Sequence, residues 1–223
     1  KPSLALYTAT KKKAVLDRLC QHMGAKKVTS IGVPECDQFF STCLTHLHDN
    51  SKELYRAVIS SIWAWGMKRN FATKNPWSEI VFKRSPKTPR RCLKQHEIDS
   101  LIQNAKGSTL LAIMLGLYAG ARVGDCVNLH GEDIDFTTRT ITFRRRKGSR
   151  EGSPKVQEIP LHPILFEVLS KIPLVSNQPL IPHKKTYLGI KVANAMKDAG
   201  VNATHHYLRH TFISNMAEKQ AGM

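Results

Sequence analysis

Residues 204–212 read THHYLRHTF, with three histidines and an arginine between positions 205 and 210. Three chemistries compete for them. His206 and His210 stand four apart and would share a helix face, as zinc ligands do, but Tyr207 stands where the HExxH pattern requires Glu, and Arg209 would set a permanent cation beside the metal. A phosphate suits the same residues better. Arg209 lies three positions from His206, so on a helix the two side chains are neighbours and can approach one anion together. A guanidinium offers a fixed fork of donors, and an imidazole gives or takes a proton near neutral pH. The third reading is a basic helix whose charges are merely solvated or face a core.

Two further sets of residues bear on the choice. Arg122 closes the segment Gly120-Ala121-Arg122, and Asp125 follows three residues later, where its carboxylate could orient the guanidinium or form an ordinary surface ion pair. Lys147 ends the run RRRKG, with Lys155 as its rival on the returning side. A lysine on a hairpin can protonate an alkoxide leaving group in a groove, or simply touch phosphate.

These groups need elements to position them. Apolar residues at helical spacing predict a first helix over 8–23 (Val15, Leu16, Leu19, Cys20, Met23), closed at Gly24, and a second after Pro34 with Phe40, Cys43, Leu44 and Leu47 on one face. A third should open at Asn50 as N-cap, with Glu53 three later, and bury Leu54, Val58, Ile62 and Trp65. A weaker element is expected near 76–82. Residues 83–91, KRSPKTPRR, hold two prolines and five basic residues with nothing apolar, which reads as a linker that could track a phosphate backbone.

Beyond it, Ile98, Leu101, Ile102 and Ala105 form one helical stripe, and 109–120, TLLAIMLGLYAG, is apolar all round, as a central buried helix should be. A short helix over 123–129 follows. Then β-prone runs at 140–143 and 156–161 flank a polar, Gly-containing stretch, predicting a hairpin with a basic tip. Helices are expected at 162–172, 186–199 and 205–217. The fold class is therefore mainly α with a small antiparallel sheet. The domains should be 1–84, a basic linker 85–91, and 92–223.

Composition narrows the partner. Lys and Arg number 34 against 17 Asp and Glu, a formal charge of +17, which calls for a polyanion and, being spread through the chain rather than gathered in a tail, for nucleic acid. No apolar run approaches the roughly 18 residues of a membrane helix. Five cysteines without a CxxC pair suggest neither a disulfide framework nor a zinc knuckle, and fit a reducing, intracellular compartment. The chain opens on Lys1 and has no secretion signal, as a piece of a longer protein would.

GARVGDCVNLHGEDID (120–135), VQEIPLHP (156–163) and HHYLRHTF (205–212), in that order and spacing, resemble the successive boxes of the tyrosine recombinases, or phage-type integrases. The resemblance covers most of residues 90–218. It implies a helical-bundle core-binding domain followed by a catalytic domain, a clamp around double-stranded DNA, and strand cleavage and rejoining through a 3′ phosphotyrosyl link without metal or other cofactor. By this resemblance Arg122 and Arg209 hold the scissile phosphate, His206 assists proton transfer, Lys147 is the general acid, and Asp125 supports Arg122. DNA contacts are expected from Lys83, Arg84, Lys87, Arg90 and Arg91 in the linker, and from Arg145, Arg146 and Arg150 in the hairpin. His205 and His210 are expected to be structural or to touch DNA.

One departure matters. The family has a further His or Trp box and then the nucleophilic Tyr beyond the HxxR arginine, whereas the tyrosines here are 7, 55, 118, 187 and 207. Tyr207 sits inside the box, about 100° around the helix from His206. The expectation is a catalytic domain truncated before its nucleophile, unable to cleave in cis and monomeric alone. The full-length protein is expected to be a tetramer on DNA, with a DNA-bending host protein as a further partner. A DNA-binding module that keeps the fold without the chemistry, or a type IB topoisomerase, are the alternatives.

Overall fold

The computed structural model describes residues 6–82, 91–145 and 155–221, with backbone only at 6–8, 145, 155 and 219–221. The chain divides into two compact units, Lys1–Thr88 and Pro89–Met223.

In the first unit, helices α1 (Leu6–Met23), α2 (Val33–Cys43) and α3 (Asp49–Met67) precede a 3-10 turn, Pro76–Ser78. The turn carries the centre of the core. Trp77 is fully buried, and its ring meets Phe39, Phe40 and Trp63 edge-on with centroids 5.8, 6.0 and 5.7 Å away. Polar contacts from α3 hold this turn: the Arg56 guanidinium donates to the Trp77 carbonyl at 3.2 Å, and Ser60 accepts from the Asn75 amide at 3.1 Å.

Two expectations for α3 are corrected. Its N-cap is His48, whose Nδ1 accepts from the Asn50 N–H at 3.2 Å, and Glu53 pairs with Arg56 at 2.7 Å rather than closing a box on Asn50. Its buried residues are Ile59 and Trp63, while Leu54 and Trp65 are 53% and 52% exposed. The helix has apolar residues on two faces, and the large rings of α2 and Trp77 select the one bearing Trp63.

In the second unit, α4 (Gln95–Asn104), α5 (Gly107–Ala119) and α6 (Val123–Val127) lead into β1 (Ile134–Asp135), β2 (Thr140–Arg145) and β3 (Lys155–Pro160). Then come α7 (Pro163–Ser170), α8 (Lys185–Asp198) and α9 (His205–Ala221). Among the described residues this is a mainly α fold with one three-stranded antiparallel sheet, order β1-β2-β3. Strand β2 alternates in the manner of a half-buried strand: Ile141 and Phe143 are buried and Arg144 is exposed. Its last pairing with β3 is Arg145 with Lys155.

Helix α5 is the axis of the core. Nine of its residues are buried, so no polar face is left, and α4, α6, α7, α8 and α9 all pack against it. Helix α9 crosses it closely. A Cβ on Gly116 would lie 2.9 Å from the Leu208 Cβ, so only glycine admits this approach. No helix among the described residues is long and apolar enough to cross a membrane.

Candidate functional site

The site is built around one left-handed turn. Helix α5 ends at Gly120, whose φ of 58° a side-chain-bearing residue rarely adopts, and a Cβ there would stand 2.6 Å from the Phe212 ring of α9. The chain then passes through buried Ala121 and reaches Arg122, the N-cap of α6. Asp125 accepts the Arg122 backbone N–H at 3.0 Å, and the same carboxylate oxygen stands 3.9 Å from the guanidinium. Asp125 therefore fixes the start of α6 and lies beside a charge that is half-exposed, at 51%. The carboxylate touches the cation loosely enough to leave its donors for another anion.

Helix α9 brings the second cation to the same turn. His205 and Leu208 are buried toward α5, which leaves His206 exposed and directs Arg209 to the turn, where its Nη1 donates to the Gly120 carbonyl. Arg209 and Arg122 are thus linked through two residues of main chain. His206 precedes Arg209 by three residues on the same helix, so the imidazole and the guanidinium are neighbours.

His205 anchors the helix. Its Nε2 lies 3.3 Å from the Ala112 carbonyl and 4.0 Å from the Cys126 sulfur, and burial holds its pKa below the ordinary imidazole value. The Cys126 thiol, buried beside it, is pushed up by desolvation. Farther along α9, Thr211 accepts the Leu93 N–H at 2.9 Å, and His210 Nδ1 lies 4.0 Å from the Cys92 sulfur. These contacts tie α9 to the segment that leads into α4. There Arg91 makes a bidentate pair with Glu97 at 2.6 Å, which lowers the Glu97 pKa to about 2. Arg91, expected to touch DNA, spends two of its donors on this carboxylate.

The structure thus brings Arg122, Asp125, His206 and Arg209 together. Lys147 lies outside the described residues, as do Lys83, Arg84, Lys87, Arg90, Arg146 and Arg150, and of Arg145 and Lys155 only the backbone is described. Among the described residues no group of three or more His, Cys, Asp or Glu is placed to hold a metal.

Two contacts of this unit were not read from the sequence. Lys185, at the start of α8, lies over Gly124 with its Nζ 3.7 Å from where a Cβ would stand, close to the turn that carries Arg122. Its signal was the Lys184-Lys185 pair ahead of an apolar helix, which looks like any solvated charge pair. Arg144 on β2 forms an ion pair with the buried Asp133, fastening the sheet to the loop before β1.

Residues 91–223 match the model of the phage integrase family. The chain belongs to that family. Among curated relatives, the tyrosine recombinase XerA of Pyrococcus horikoshii is 28% identical over 168 residues, covering 69% of this chain and 58% of its own length. The tyrosine recombinase XerC of Oceanobacillus iheyensis is 28% identical over 211 residues, covering 81% of this chain and 67% of its own. The chain therefore spans a little over half of the first relative and two thirds of the second.

Among solved structures, a lambda integrase dimer bound to a COC′ core site superposes with a TM-score of 0.78 at 18% identity, over 98% of this chain and 85% of that one. The Tn1549 transposon integrase in complex with circular intermediate DNA gives 0.75 at 16%, over 100% and 84%. At such identities the likeness establishes the integrase fold across both units.

Proposed function

We propose that this chain is the DNA-binding and phosphate-orienting part of a site-specific recombinase that cleaves and rejoins duplex DNA through a 3′ phosphotyrosyl link. The observation that carries this reading is the hydrogen bond from Arg209 to the Gly120 carbonyl, which sets two guanidiniums on one short turn with His206 beside them. Arg122 and Arg209 donate to the non-bridging oxygens of the scissile phosphate and stabilise the charge that grows in the pentacoordinate transition state. His206 assists proton transfer at that phosphate, and Lys147 protonates the departing 5′ oxygen. Asp125 orients Arg122, and Lys185 adds a third cation for the neighbouring backbone.

The attacking hydroxyl is not assigned to a tyrosine of these 223 residues. Of the tyrosines whose side chains are described, Tyr55 packs on the first core, Tyr118 stacks on His162 at 4.7 Å, Tyr187 lies under the Lys191 ammonium at 5.1 Å, and Tyr207 packs on the second core. On this reading the chain alone binds DNA without cleaving it. Both units engage the same duplex, the basic segment 83–91 and the hairpin tip adding phosphate contacts. The full-length recombinase works in the cell interior as a tetramer on two duplexes, a reading to which the lambda integrase tetramer on a Holliday junction lends support. A DNA-bending host protein is a further proposed partner.

The test is a nicked suicide substrate incubated with the full-length protein. A covalent protein–DNA adduct is expected, and Arg209→Ala or Arg122→Ala should abolish it while the fold persists. Retained duplex binding with no adduct on the cognate site would overturn the recombinase reading in favour of a binding module.

A further inference from the structure

The end of α3 carries an exposed cluster that neither the core nor the catalytic turn uses. Trp65 and Phe71 are 52% and 63% exposed, and their rings stack with centroids 6.3 Å apart at 28°. The Arg69 guanidinium lies over the Trp65 ring, 4.1 Å from its centroid. The arrangement is built by the chain reversal after the helix. Asn70 adopts a left-handed φ of 57°, its N–H bonds the Met67 carbonyl at 3.1 Å, and the Phe71 N–H bonds the Gly66 carbonyl at 3.0 Å. This reversal folds Phe71 back onto Trp65. Three flat groups, two aromatic and one cationic, are thereby held together in solvent.

The surroundings indicate what could cover them. Between Glu53 and Glu79 the sequence has no acidic residue, and Lys68, Arg69 and Lys74 are exposed within the same reversal. A partner matched to this patch combines negative charge with flat π-faces, which is the chemistry of a nucleic acid whose bases are unpaired. In a duplex those faces are stacked on one another, and a protein meets only phosphates and groove edges. We propose that Trp65, Arg69 and Phe71 form a stacking platform for unpaired bases of single-stranded DNA. It is separate from the phosphate site at Gly120 and needs none of the catalytic groups assigned above.

The buried state of the other two tryptophans supplies the reporter, since Trp63 and Trp77 are 8% and 0% exposed. The 223-residue chain is titrated with oligothymidylate and, in parallel, with an abasic strand of equal length and charge, following tryptophan emission and fluorescence anisotropy. The base-bearing strand should bind about 5- to 100-fold more tightly, as expected for stacking of one base, and should quench Trp65. Trp65→Leu with Phe71→Leu should remove that preference, with duplex affinity within about twofold of the parent and the unfolding midpoint held. Equal affinity for the abasic strand overturns the proposal. So does parallel loss of strand and duplex binding in the variant, or concentration-dependent self-association that the variant abolishes in the absence of any base preference, which would make the patch a protein interface. Each result leaves the recombinase reading to be judged by its own adduct assay.

Discussion

His205 and Arg209 show how two residues of one box divide between structure and chemistry. Burial disfavours the imidazolium of His205, so its folded-state pKa lies below the value of about 6.5 expected in the unfolded chain. As pH falls through that range the unfolded chain takes up the proton first, and stability is lost on acidification. The thermal midpoint of the second unit should therefore decline between about pH 7.5 and 5.5, and His205→Gln, which can still donate to the Ala112 carbonyl, should flatten that slope. An unchanged slope in the variant would show that other groups carry the acid sensitivity. His206 and Arg209 were legible as a pair because they stand three apart on one helix, whereas joining Arg122 to the same anion rested on the resemblance of the three boxes. For His205 the sequence left a structural role and a DNA contact open, because three histidines in six residues look alike until α5 offers one of them a carbonyl. Lys185 was hidden for the same reason: its place depends on α6, which it meets only after folding.

At the scale of elements, the turn after α5 is the most constrained link. Gly120→Ala puts a methyl group against Phe212 and requires a left-handed alanine, whose backbone strain alone costs about 1–3 kcal/mol. Urea unfolding should register at least that loss, and phosphate-dependent DNA affinity should fall as well, because the Gly120 carbonyl no longer holds Arg209. A variant as stable as the parent would mean that α5 and α9 can separate without penalty. The helices of the second unit were readable because α5 is apolar all round and its neighbours carry single stripes. In the first unit the same reasoning found the buried face of α3 only in part: Val58 packs against the core, but Leu54 and Trp65 are exposed. Leu54, Val58, Ile62 and Trp65 recur at helical spacing as well as Tyr55, Ile59 and Trp63 do, and the choice lies with Trp77, whose 3-10 turn falls in the element expected near 76–82 but whose ring packing the spacing within α3 does not show.

For the whole molecule, the charge of +17 sets the energetics of encounter. Binding that neutralises several phosphates releases condensed counterions, so a double-logarithmic plot of affinity against salt should be linear with a slope steeper than about −4 for five or more contacts. A flat profile would remove DNA as the partner. That inference needed composition alone, whereas the division of charge between phosphate contacts and internal pairs needed coordinates: Arg56, Arg91 and Arg144 each serve a carboxylate of their own chain.

The bond from Arg209 to the main chain has a consequence for replacement. A guanidinium has five N–H groups in a rigid plane, so committing one to the Gly120 carbonyl fixes the directions of all the others. An ammonium has a single nitrogen and must either keep the carbonyl or swing toward the ligand. Because the acceptor is backbone, no change of side chain at position 120 can restore the missing reach. The orientation of this cation is therefore inherited from the path of the chain, and lysine at 209 would preserve the charge while losing the aim.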